Sequence, residues 1–271
     1  MMVPSSDGLE LYAERHGDAA APCIVFSCAY TTTHENWRAQ VDPLLDAGWQ
    51  VVLWDHRGHG KSAAATDPAG YTMDRVTGDL AAICDWASPD RPVVLAGLSF
   101  GGLVSLHVAL ADPSRVRALV LAGSGPGFKN PKAAEGWAKQ TERTASYLEG
   151  RGLEAFVSGK AGATCIGRDP ELPAAKAAAR SIVAQDPAAL AAFGRQVTGL
   201  APSVIDELAE IQVPALVIVG SEDEAFRRAA EVMAAKLPNA VHRVVDGAGH
   251  ILNIERPGEF DSALLEFLAT L

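Results

Sequence analysis

The stretch VVLAGLSFGGLVSLHVAL, Val93 to Leu110, decides the fold. It opens as a continuous apolar run, the pattern of a strand buried on both faces, and closes as a helix. Between them lies Gly-Leu-Ser-Phe-Gly-Gly. A strand that turns directly into a helix needs a sharp corner, and Gly97 and Gly101 flank Ser99 at the two positions where a side chain would collide. Ser99 could serve there as a plain helix cap. The alternative is that the corner presents its hydroxyl as a nucleophile, at a helix N-terminus whose partial positive charge favours a developing anion.

Working outward, similar apolar runs recur as CIVFSC (23–28), QVVLWD (50–55), RALVLAG (117–123), ALVIVG (215–220) and HRVVDG (242–247). Most are apolar on both faces and most are separated by helix-like segments, which predicts a mostly parallel sheet covered by helices on both sides, an α/β fold. LELYAERHG (9–17) alternates after an SSDG turn signal and predicts an antiparallel edge hairpin. TTHE matches a capping box and predicts a helix start at Thr32. From 126 to 210 the rhythm changes: alanine-rich helical segments are expected at 131–149, 151–158, 171–185, 187–199 and 202–210, with Pro173, Pro187 and Pro202 near helix starts. The expected organisation is a core of 1–125 and 211–271 with a helical cap, 126–210, inserted between two strands.

At 271 residues, 48% apolar and 21% charged, the chain suits a single α/β domain carrying an insertion. Its net charge of −10 disfavours nucleic acid or an anionic membrane surface as a partner. The N-terminus does not read as a signal peptide, and no apolar run approaches the roughly 18 residues of a membrane span. Cys23, Cys28, Cys84 and Cys165 are scattered, without CxxC or metal-ligand spacing, and read as small buried or loop thiols in a reducing cytoplasm.

A serine hydroxyl needs a base, and the base needs a group to orient it. His250, in VVDGAGHIL, follows the last strand in a glycine-rich loop, so it stands at a C-terminal strand end as Ser99 does. The orienting carboxylate should stand at another strand end, and GSEDEAF offers Glu222, Asp223 and Glu224. Asp223 is the first choice and Glu222 the second. His107 and His242 fall within a helix and a strand, as packing or surface residues. His34 is a candidate substrate contact, while Phe128 and Trp137 are candidate walls of the pocket.

With GLSFGG as nucleophile elbow, GSED supplying the acid, GAGH supplying the base and the order Ser, Asp, His, the chain resembles the α/β-hydrolase fold superfamily along essentially its whole length, in particular its serine-nucleophile, esterase-like members. DHRGHGKS (55–62) is similar to the D-x-R-G-x-G-x-S turn of that superfamily, with Asp55 and Arg57 as structural charges. The resemblance implies an oxyanion hole formed by two backbone N–H groups. Phe100 would supply one. Ala29 would supply the other, following Ser27-Cys28 where relatives carry His-Gly.

The implied activity is hydrolysis of small-molecule carboxylic esters by water through Ser99, His250 and Asp223, with no metal or cofactor. A lactonase, a C–C bond hydrolase, a perhydrolase or a lyase could use the same residues. The reading from a different class is a ligand-binding receptor.

Overall fold

The computed structural model describes residues 1–271. Eight strands, β1 (Met2–Pro4), β2 (Glu10–His16), β3 (Cys23–Ser27), β4 (Gln50–Trp54), β5 (Val93–Leu98), β6 (Val116–Ala122), β7 (Ala215–Gly220) and β8 (Ala240–Val245), form one sheet. The helices are α1 (Val41–Asp46), α2 (Met73–Ala87), α3 (Phe100–Ala111), α4 (Pro131–Ser158), α5 (Pro173–Val183), α6 (Pro187–Gln196), α7 (Glu224–Lys236), α8 (Leu252–Glu255) and α9 (Pro257–Leu268). The sheet order is β1-β2-β4-β3-β5-β6-β7-β8. β1 and β2 form the expected antiparallel hairpin, β2 pairs antiparallel with β4, and every later pairing is parallel.

The apolar runs are continuous because alternate residues enter two separate cores. Val25, Val52, Leu95 and Leu119 pack under α2 and α3, with Leu80, Ile83 and Leu106. Ile24, Phe26, Val94 and Val120 face the other side, with Trp37, Leu44, Phe260 and Leu264. Successive side chains of a strand point to opposite faces, so a strand covered on both must be apolar at every position.

Chain order makes β3 a switch point: the chain passes from β3 to β4 on one side, then returns to β5 on the other. The crevice beyond the carboxyl ends of such strands is where open α/β sheets bind ligands. Ser27 lies opposite Gly97 in the β3–β5 register, so the segments after them, carrying Ala29 and Ser99, emerge side by side.

Between β6 and β7 the chain forms helices and no strand. Asn130 caps α4, its Oδ1 accepting from the N–H of Lys132 at 2.9 Å, and Gly152 (φ 76°) breaks the helix near the expected boundary. Pro173 and Pro187 open α5 and α6. The expected helix at 202–210 is not there, apart from one short turn at Leu208–Glu210. The N–H of Val204 donates instead to Pro126 O at 2.8 Å, so a long-range partner displaces the local helix.

Two boundaries also move. β8 begins and ends two residues earlier than expected, and Gly247 (φ 63°) turns the chain after it, its N–H held by Ser221 Oγ. The helical turn expected from Thr32 is capped by Thr33, because Thr32 Oγ1 donates to Ala29 O at 3.0 Å.

Candidate active site

Ser99 has φ 53° and ψ −114°. Only Thr31 (φ 71°) shares a positive φ among non-glycine residues. Such a conformation persists only where the surroundings enforce it. Here the N–H of Ser99 donates to Ala122 O at 2.8 Å, and its carbonyl accepts from Ser124 Oγ at 2.7 Å. A Cβ on Gly97 would lie 2.2 Å from the Gly101 carbonyl carbon, and one on Gly101 would lie 2.3 Å from Ser27 O. The two glycines are required by backbone against backbone.

His250 Nδ1 lies 2.8 Å from Asp223 Oδ2. Asp223 occupies the N-cap position of α7, yet its side chain makes no capping bond and turns to the imidazole instead. The Phe226 ring stacks on His250 at 4.7 Å between centroids. Gly123 (φ 48°) lies beneath the pair, where a Cβ would come within 3.3 Å of both Asp223 Oδ2 and His250 Nδ1. Glu222 faces away and pairs with Arg168, which also binds Glu255. Glu255 in turn accepts the N–H of Gly249 at 2.9 Å, beside His250. The two loops are thus tied behind the imidazole.

Ser99, Asp223 and His250 line one cavity of about 530 Å³, together with Ala29 and Phe100. Ser99 and His250 face it without a hydrogen bond between them, a separation common where no substrate is bound. The N–H groups of Ala29 and Phe100 have no acceptor within the chain. Phe128, Trp137 and Phe156 from the segment between β6 and β7 also line it, the two candidate wall residues among them.

The Ala29 loop is held by residues that the sequence marked only as a turn. His56 Nε2 donates to Cys28 O at 3.0 Å, the carbonyl of the peptide whose N–H belongs to Ala29. His59 Nε2 accepts the N–H of Thr31 at 3.3 Å, so its Nδ1 carries the proton and faces Arg57 O at 3.2 Å. Burial pushes the pKa of these imidazoles down to about 4 and about 3, which keeps both neutral. Gln185, from between α5 and α6, donates to Thr31 O and accepts from the Gly60 N–H, each at 2.8 Å. The two histidines of DHRGHG were the available signal for this bracing; Gln185 had none.

His34, a candidate substrate contact, is not among the residues lining the cavity. Its ring is buried against Asp55, with Nδ1 2.8 Å from Oδ2, and its own N–H donates to Asp55 Oδ1. Arg57 is likewise structural, donating through Nε and Nη2 to Asp79 at 2.6 Å each. Cys28 is fully buried with its thiol pKa pushed up by burial, unsuited to attack. All four cysteines are buried and unpaired.

The sequence profile described as alpha/beta hydrolase fold matches residues 22–257. The chain is 28% identical to a Bacillus subtilis protein provisionally named as a 2-succinyl-6-hydroxy-2,4-cyclohexadiene-1-carboxylate synthase, over 99% of this chain and 98% of that one. It is 26% identical to a 3-oxoadipate enol-lactonase of Acinetobacter baylyi, over 100% and 97% of the two chains. A solved esterase of Thermogutta terrifontis superposes with a TM-score of 0.86 at 25% identity, covering 100% and 98%. On the match across most of its length and the sheet described above, this chain belongs to the α/β-hydrolase fold family and is a hydrolase of that fold.

Proposed function

We propose that the protein hydrolyses carboxylic esters, lactones included, through Ser99, His250 and Asp223. The observation that carries this reading is convergence: a strained, unpartnered serine, an imidazole held by a carboxylate and two unpaired N–H groups border one cavity. Ser99 Oγ attacks the carbonyl carbon as its proton passes to His250 Nε2. Asp223 holds Nδ1–H and stabilises the imidazolium. The N–H groups of Ala29 and Phe100 receive the oxyanion, donors of a kind whose removal costs roughly 2.7–4 kcal/mol each. Collapse of the tetrahedral species breaks the C–O bond, and His250 returns the proton to the leaving alcohol. Water, deprotonated by the same imidazole, then releases the acid from Ser99.

The segment 126–210 acts in this reading as a cap, supported by the residues it contributes to the cavity that Ser99 lines. No helix is long and apolar enough to cross a membrane. With the four unpaired thiols, we place the protein in the cytoplasm.

Ser99→Ala tests the assignment. The exchange changes volume little, so the melting temperature should stay near that of the wild type while turnover of an activated ester falls below a few per cent. A folded Ser99→Ala protein that keeps substantial turnover refutes the serine.

A further inference from the structure

The cavity beside Ser99, about 530 Å³, lies within the range of small-molecule pockets, and its walls carry a definite charge pattern. None of its lining residues is Lys or Arg. The one acidic side chain among them is Asp223, already engaged by His250. Besides the Trp137 indole, whose N–H donates to Thr198 O, the remaining polar side chains lining it are hydroxyls and an amide, with Gln140 and Thr144 following Trp137 at helical spacing on one face of α4. The nearby guanidinium of Arg143 is exposed and donates to Gln140 Oε1, occupying the amide oxygen and leaving the amide N–H₂ free.

From this we infer that the substrate is neutral around its scissile ester: an uncharged apolar acyl or alcohol portion, with at most hydroxyl, amide or ether groups for Thr144 and Gln140 to meet. The inference rests on the hydrolase reading above and narrows it. An ionised carboxylate moved from water into this cavity loses its hydration and meets no Lys or Arg among the residues that line it, the Arg143 guanidinium being exposed and turned to Gln140 Oε1. It also meets the field of Asp223 and a protein carrying a net charge of −10. The phenyl rings of Phe128, Phe156 and Phe226 offer contact to carbon, which rewards the uncharged ligand. The two curated relatives above are named for carboxylate compounds, a succinyl cyclohexadiene carboxylate and oxoadipate. The inferred neutral substrate thus differs from the compounds in those names, although the similarity runs along nearly the whole length.

The experiment uses two matched pairs of probes on the full-length protein. For hydrolysis, 4-nitrophenyl methyl succinate is compared with 4-nitrophenyl hydrogen succinate at pH 7.5, where only the second carries a carboxylate. The neutral ester should be turned over with kcat/KM at least about 100-fold higher, a difference of about 2.7 kcal/mol. For binding, calorimetry on Ser99→Ala compares the ketone methyl 4-oxo-4-phenylbutanoate with its free carboxylate, and the neutral ketone should bind at least tenfold more tightly. Thr144→Arg and Gln140→Arg, which bring a guanidinium to the cap face, should each narrow the hydrolytic ratio by tenfold or more, mainly by improving the anion.

Equal use of both esters, or equal binding of both ketones, overturns the inference. Absence of hydrolysis of either ester, with the neutral ketone still preferred, overturns the hydrolase reading and leaves the neutral cavity standing.

Discussion

Two histidine–aspartate pairs in this molecule share one contact: His250 with Asp223 and His34 with Asp55 each place Nδ1 2.8 Å from Oδ2. Their surroundings differ at the other ring nitrogen. His34 Nε2 lies 3.3 Å from Glu14 and 3.2 Å from Glu35, and both carboxylates are bound by Arg38. Its side chain is 2% exposed and the ring is enclosed by protein. The His250 side chain is 11% exposed and borders the cavity that also holds Ser99. An imidazole fixed by a carboxylate is therefore not a base by virtue of that bond. It becomes one when its second nitrogen faces a place where a reactant can sit.

The strongest way to break this comparison is to make the same change in both pairs. Asp223→Asn replaces an acceptor with a group that can donate and so favours the wrong imidazole tautomer. In the serine-protease precedent this costs about 10⁴ in kcat, and a loss of at least roughly 100-fold is expected here, with little change in melting temperature. Asp55→Asn should act in the opposite manner. Asp55 is fully buried and accepts from the N–H of His34 and the N–H of Lys61, besides the imidazole, so one donor is left unsatisfied. A loss of about 2–4 kcal/mol in urea denaturation is expected, with turnover per folded molecule within a few-fold of wild type. A stable Asp55→Asn protein without activity would erase the distinction.

His56 and His59, buried with no carboxylate partner, sharpen it through pH. Burial lowers their pKa values to about 4 and about 3, against about 6.5 in an unfolded chain. Between these values the unfolded state binds more protons, so stability present above pH 6.5 is lost as pH falls. Asp261 works in the other sense over part of that range, because burial raises its pKa to about 6, against the opposing hydrogen bond from Gln40. Among these three groups, two protons against one contribute about 1.4 kcal/mol per pH unit between pH 4.5 and 5.5, and His107, whose pKa burial also lowers, adds in the same direction. Urea midpoints across that range should show it. His59→Gln should flatten the slope and Asp261→Asn should steepen it; the reverse result would mean that the imidazoles are not held neutral.

The smallest effect belongs to the acids beside Asp223. Glu222 is exposed and paired with Arg168, and Glu224 is an exposed residue in the first turn of α7. Glu222→Gln and Glu224→Gln should each change kcat/KM less than about threefold, since solvated carboxylates contribute little. A hundredfold loss from Glu222→Gln would move the orienting acid by one residue.

The residues best read in advance are those whose signal is local. Ser99 stands between glycines that the backbone itself requires, and the strand positions follow from apolar runs that two faces of a sheet demand. His250 and Asp223 are proposed from strand ends, which converge at one edge of a parallel sheet, and the structure brings the two side chains to 2.8 Å of each other. The helix expected at 202–210 had the same local grounds as α5 and α6, but Pro126, seventy-eight residues from Val204, took the N–H it needed. Thr32 was a sound cap by sequence and lost that role to the carbonyl of Ala29.

What the sequence determined by itself was the parallel α/β architecture, the elbow at Ser99 and the strand ends where a base and an acid could stand. Periodicity, glycine sterics and chain order act over a few residues or on a known topology, so they can be read along a line. Only the tertiary structure decided which histidine turns its second nitrogen to the cavity, which of three adjacent acids meets it and which residues line that cavity. Those depend on partners far apart in the chain, such as Arg168 on Glu222, Gln185 on Thr31 and residues of α4 lining the same cavity as Ser99. No local pattern encodes them, because the contacts exist only once the sheet and helices have closed around the cavity.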